Sequence, residues 1–156
     1  MTTIYFDTEF TGLTPDAKLI SIGMAESPSQ REFYAELTDT YAVDDCGAFC
    51  REVVLPLLDG GDTEMTLAQL RGRLWAWLAA AGPDTVLVCD CARDVVQLDQ
   101  MFPDGLPSNC RLQVLGTWGN WKRRICNINR RLHRKHGWRV HHALDDARVN
   151  RLVLAN

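Results

Sequence analysis

The chain has 156 residues and a mass of 17.6 kDa, with 46% hydrophobic and 24% charged residues, five Trp, and no low-complexity tract. This describes one folded domain and excludes disorder, and the longest apolar run, from Leu74 to Ala81, falls far short of the roughly 18 residues that a membrane helix needs. Net charge is −3 but is split along the chain: residues 1–104 hold 18 acidic and 6 basic side chains, and residues 105–156 hold 2 and 11.

The N-terminus has no basic or apolar leader pattern and reads as the first strand, residues 3–6, of a cytoplasmic protein. Residues 19–25 and 32–37 read as two further strands, with Ser27-Pro28-Ser29-Gln30 as the turn between them, so the three form an antiparallel meander. Asp44 or Asp45 then caps an expected helix through Phe49, Val53, Val54 and Leu57, ended or kinked near Pro56. Gly60-Gly61-Asp62 reads as a loop.

Thr66-Leu67-Ala68-Gln69 matches a capping box, in which each end's side chain satisfies a backbone N–H of the other. Leu67, Leu70, Leu74, Trp77, Leu78 and Ala81 then form one apolar helical face, which Gly82-Pro83 stops, and Trp75 and Trp77 read as core. Residues 85–89 form a continuous apolar run, the mark of a strand buried on both faces. Residues 93–102 read as a helix, 112–115 as a strand, and 118–136 as a long basic helix capped by Gly137. A last helix starts near Ala143. The whole predicts a mixed sheet of five strands, an antiparallel meander followed by parallel strands, flanked by helices. The six cysteines lack the CxxC spacing of zinc or redox sites and read mostly as buried thiols.

From Gly105 to Leu144 there is no Asp or Glu, while Arg111, Lys122, Arg123, Arg124, Arg130, Arg131, Arg134, Lys135 and Arg139 all fall there. Such a surface suits a polyanion, and a solvated basic helix is the alternative. Asp7 and Glu9 leave the first strand at i and i+2, hence on one face. Two adjacent carboxylates repel unless a cation lies between them, which suits a divalent metal. Asp94 follows the buried strand near a helix start, where an acid is also favoured by the helix dipole. His142 and Asp146 stand at i and i+4 on the last helix, with His141 at or just before its start.

These three blocks resemble the DEDDh family of 3′-5′ exonucleases. The residues are Asp7 and Glu9 in Phe6-Asp7-Thr8-Glu9-Phe10-Thr11-Gly12-Leu13, Asp94 in Arg93-Asp94-Val95-Val96-Gln97-Leu98, and His141 with Asp146 in His141-His142-Ala143-Leu144-Asp145-Asp146-Ala147-Arg148. Within that family the pattern is most similar to compact bacterial exoribonucleases related to oligoribonuclease and RNase T. The resemblance covers nearly the whole chain and implies an RNase H-like fold. Where many DEDD enzymes carry Asn four residues before the middle Asp, this chain has Asp90, and Asp90 and Asp99 are rivals of Asp94 for the middle ligand.

What the resemblance implies is phosphodiester hydrolysis from the 3′ end of RNA with release of nucleoside 5′-monophosphates. Two Mg²⁺ or Mn²⁺ ions about 3.5–4 Å apart serve such chemistry, held by Asp7, Glu9, Asp94 and Asp146. His141 would be the general base, with His142 its competitor, a task that suits histidine as a residue type because an unperturbed imidazole titrates at about 6.5. Phe10, Thr11 and Leu13 would meet the terminal nucleotide, and Arg123, Arg124, Arg130, Arg131 and Arg134 would track the phosphates of a single strand, interleaved with Trp118, Trp121 and Trp138. His133 and His136 read as ordinary members of the basic helix. A DNA exonuclease of the proofreading or repair type and a catalytically silent nucleic-acid-binding module are the alternatives. Related enzymes are often homodimers, so a homodimer is expected too.

Overall fold

Alternating residues of the first nine-residue strand set the two faces of the sheet. The computed structural model describes residues 1–115 and 120–155, and side chains for 1–115 and 128–155. Strands β1 (Thr2–Phe10), β2 (Leu19–Ser27) and β3 (Glu32–Leu37) pair antiparallel, as the hydrophobic runs predict. β4 (Glu64–Met65) runs parallel to the end of β3, β5 (Thr85–Cys89) parallel to β1, and β6 (Cys110–Val114) parallel to β5. The order is β4-β3-β2-β1-β5-β6. The sheet thus has six strands and not five, because β4, too short for any periodic signal, adds an edge next to the Gly60-Gly61 loop.

Ile4 and Phe6 point to one face, where they pack with Ile22, Met24 and the buried Leu70, Leu74 and Leu78 of α1 (Leu67–Ala79). Leu98 and Met101 of α2 (Ala92–Met101) complete this core. The α1 start is capped as predicted: Gln69 N donates to Thr66 Oγ1 (3.2 Å) and Thr66 N to Gln69 Oε1 (2.9 Å). Trp77 is half-buried against Phe33 and under the Arg31 guanidinium, but Trp75 is 43% exposed and corrects its assignment to the core.

The opposite face of β1 and β2 carries α4 (Ala143–Leu154), against which α3 (Asn120–His136) packs. Gly137, at φ +68°, ends α3 in the left-handed conformation that glycine tolerates. The expected regular helix from Asp44 or Asp45 is absent. In its place stand a 3₁₀ turn at Val43–Asp45, a π-helical turn at Cys50–Val54 and a 3₁₀ turn at Leu55–Leu57. Pro56 supplies no N–H to an α-helical ladder, and the turn before it widens so that Leu55 N reaches Cys50 O. Among the described residues, no helix is long and apolar enough to cross a membrane.

Candidate active site

Three elements converge at the C-terminal end of β1. Its odd-numbered residues Asp7 and Glu9 face α4, while Thr8 between them turns inward and ties to α2. Asp94 of α2, 1% exposed, accepts hydrogen bonds at Oδ1 from Thr8 N (3.2 Å) and Thr8 Oγ1 (2.7 Å). Its other oxygen, Oδ2, is buried with no partner. Asp7, Asp90 and Asp94 each present an oxygen within 4.8 Å of the others, so the two rivals for a middle ligand stand in one cluster. Asp99 is an exposed residue further along α2 and outside that cluster.

A second cluster of the same tightness joins Glu9, His141 and Asp146. Asp146 lies in the first turn of α4, and its Oδ2 accepts the backbone N–H of His141 at 2.9 Å. That contact needs His141 in a left-handed conformation, φ +67°, which is uncommon for a side-chain-bearing residue. The exposed imidazole of His141 meets the ring of Phe49 edge-on, with centroids 5.0 Å apart.

Electrostatics bind the two clusters into one site. Burial, then the charges of Asp94, Asp146, Glu9 and Asp90, hold the Asp7 carboxyl well above its ordinary range. Burial followed by Asp146 and Asp94 pushes Glu9 up to about 8. Asp94 is raised to about 7 by burial and by Asp90 and Asp146, against the opposing Thr8 hydrogen bonds. Carboxylates so placed favour either shared protons or cations. The orphaned Asp94 Oδ2 and the all-oxygen donor set around Asp7 fit a hard divalent cation, and an imidazole joins the second cluster.

Beside the second cluster opens a cavity of about 540 Å³, walled by Phe10, Leu13, Phe49 and Val54, with Glu9 and His141 among its lining. Leu13 is 74% and Phe49 55% exposed, so two apolar side chains line this cavity while open to solvent. Thr11, expected at the substrate, is buried in the cavity wall, and its hydroxyl accepts the Lys18 N–H at 3.0 Å. That bond closes the loop after β1, and Phe49 and Val54, read from the sequence as members of a helix, join Thr11 in the cavity lining.

His142 does not join this group. It is 1% exposed, lies tilted against the Tyr34 ring with centroids 4.5 Å apart, and directs Nε2 towards Asp59 Oδ2 at 3.5 Å. Burial and then the Arg139 charge lower its pKa. Arg139 is likewise absorbed into structure: it pairs with Asp59, donates to Asp145 Oδ2 (2.8 Å) and to Leu57 O (3.0 Å). It is removed from the expected basic surface. Arg130, Arg131, Arg134 and Lys135 of α3 are exposed. Trp118 lies outside the described residues, as do the side chains of Trp121, Lys122, Arg123 and Arg124. Trp138 is half-buried and stacks on His136 at 4.4 Å.

His133 is the residue that local pattern missed. It is 3% exposed, and its Nε2 lies 2.8 Å from Asp146 Oδ1. Burial works against a charge there, but the hydrogen bond and charge of Asp146 outweigh it and raise the His133 pKa. No family model matches the chain, and no curated protein matches its sequence.

Proposed function

We propose that this protein is a metal-dependent 3′-5′ exonuclease acting on RNA, with an RNase H-like fold. The single observation that carries the reading is the convergence of Asp7, Glu9, Asp94 and Asp146 with His141 at one strand end. The motifs containing these residues resemble those of DEDDh exonucleases in content and order. The sheet, an antiparallel meander continued by parallel strands, suits the same reading.

Asp7, Glu9, Asp94 and Asp146 would hold two divalent cations, Mg²⁺ or Mn²⁺, with Asp7 and Asp94 contributing from the first cluster and Glu9 and Asp146 from the second. When bound, such ions stabilise the charge that develops on the phosphate and on the departing oxygen. His141, exposed at the mouth of the cavity, accepts the proton of the attacking water. The P–O3′ bond breaks, the phosphate leaves on the released nucleoside 5′-monophosphate, and the shortened strand keeps a 3′-hydroxyl. Phe10, Leu13 and Phe49 offer the terminal base an apolar seat, and Arg130, Arg131 and Arg134 offer the preceding phosphates a basic rail.

Product analysis tests this reading. Unlabelled single-stranded RNA and DNA of one sequence are incubated with the protein and Mn²⁺, Mg²⁺ or EDTA, and products are separated by chromatography. Release of nucleoside 5′-monophosphates only with a metal, and faster from RNA, is expected. Release from DNA alone would move the substrate to DNA; 3′-monophosphates or no release would overturn the mechanism.

A further inference from the structure

His133 combines two observations that helix packing alone does not require. Its imidazole is nearly fully buried, and its Nε2 lies 2.8 Å from Asp146 Oδ1, while the Trp138 backbone is a second polar neighbour. Burying an imidazole against a carboxylate is costly, and an apolar side chain would fill the α3–α4 seam more cheaply. A carboxylate only accepts, so Nε2 carries the hydrogen and donates it.

The other oxygen of Asp146 is held as well, by the His141 backbone N–H at 2.9 Å. Both oxygens are thus held, one from outside the cluster by His133 of α3 and one by the backbone N–H of His141 in the left-handed turn before α4. The carboxylate is locked about its own axis while it stays close to Glu9 and His141. A ligand held in this way loses little rotational freedom when it binds a cation.

We propose that His133 is a positioning residue, which orients Asp146 for cation binding and ties the basic helix α3 to the site. This rests on the reading of Asp146 as a cation ligand. It assigns to α3 a task beyond carrying positive charge: the element that faces the polyanion also holds one of the carboxylates.

The test is direct Mn²⁺ binding to the full chain, read by titration calorimetry and by the electron spin resonance of free Mn²⁺. His133→Leu removes the donor and keeps the seam filled; His133→Gln keeps an N–H donor. Outer partners of metal ligands typically contribute about 10–100-fold in affinity, so weakening by at least about tenfold is expected for Leu, with Gln recovering most of it. Single-stranded RNA binding in EDTA and the Tm of the metal-free protein should stay close to wild type for Leu. Wild-type Mn²⁺ affinity in His133→Leu would overturn the proposal, as would parallel loss of RNA binding and Tm in both variants. Wild-type protein that binds Mn²⁺ through His133-oriented Asp146 but releases no nucleotide would overturn the exonuclease reading and leave this one standing. Absence of Mn²⁺ binding by the wild type would overturn both.

Discussion

Gly23 of β2 lies so tightly under Leu144 of α4 that a Cβ at position 23 would overlap the Leu144 backbone nitrogen. Gly23 is also the register partner of Asp7 across β1 and β2. The missing side chain therefore lets the N-terminal turn of α4 sit directly over the strand end, which brings Asp146 near Asp7. Gly23→Ala has backbone to push against and no flexible side chain. Overpacking of this kind costs about 1–3 kcal/mol or more. Urea unfolding should show that loss, and Mn²⁺ affinity should fall with it as α4 lifts from the sheet.

The crowded carboxylates make the metal-free protein pH-sensitive. Glu9 at about 8 and Asp94 at about 7 retain protons that the unfolded chain releases near its ordinary values of 4.5 and 3.8. The folded state binds more protons than the unfolded one across that window, so its stability falls as pH rises from about 4.5 to 8. Thermal melts in EDTA should give a lower Tm at pH 8 than at pH 5.5, and saturating Mn²⁺ should remove the difference. Asp7→Asn should raise the metal-free Tm at pH 8. An unchanged Tm across the window would contradict this electrostatic account.

A separate acid limb belongs to the network behind the site. Arg139, through its backbone and side chain, holds Asp145 low against the opposing effect of burial, and Arg148 and Arg151 lower Glu32. Depressed carboxylates contribute stability above their unfolded pKa and lose it as pH falls through the folded one. Asp145→Asn should lower Tm at pH 7 and flatten its decline below about pH 4. An equal decline in the variant and the wild type would remove Asp145 from that limb.

Adjacent histidines should behave oppositely. His141 is exposed, so His141→Ala should leave Tm near wild type while cutting turnover, since loss of a general base typically costs about 10²–10⁴-fold. His142 is fully buried beside Tyr34, so His142→Ala should lower Tm, with any loss of turnover following the loss of folded protein. Comparable Tm losses in both would contradict the division of roles.

Much of this was legible because it is local. The Thr66–Gln69 capping box, the one-face spacing of Asp7 and Glu9, and the start of α4 at Ala143 all follow from patterns within a few residues. His133 lies 13 positions before Asp146 on another helix, so only packing of α3 on α4 reveals their contact. Arg139 read as part of a basic run because the acids that claim it, Asp59 and Asp145, are set by tertiary structure. Phe49 read as one residue of a regular helix, because its place in the cavity wall follows from the π-helical and 3₁₀ turns around Pro56 and from the approach of His141.

Arg130, Arg131 and Arg134 are exposed on α3. Replacing all three with Ala should weaken single-stranded RNA binding in EDTA and flatten its dependence on salt, because each phosphate contact adds about 0.7 to the slope for a single strand. Turnover at saturating RNA should change little. An unaltered salt slope would place the strand elsewhere.

The most direct measurement follows a 5′-labelled single-stranded RNA on a sequencing gel with wild type, Asp7→Ala and His141→Ala, each with Mn²⁺ and with EDTA. A ladder that shortens stepwise from the 3′ end, present only for the wild type with Mn²⁺, is the predicted result. An uncut strand under Mn²⁺, or the same ladder from the Asp7→Ala protein, would contradict the assignment of this carboxylate cluster as a 3′-5′ exonuclease centre.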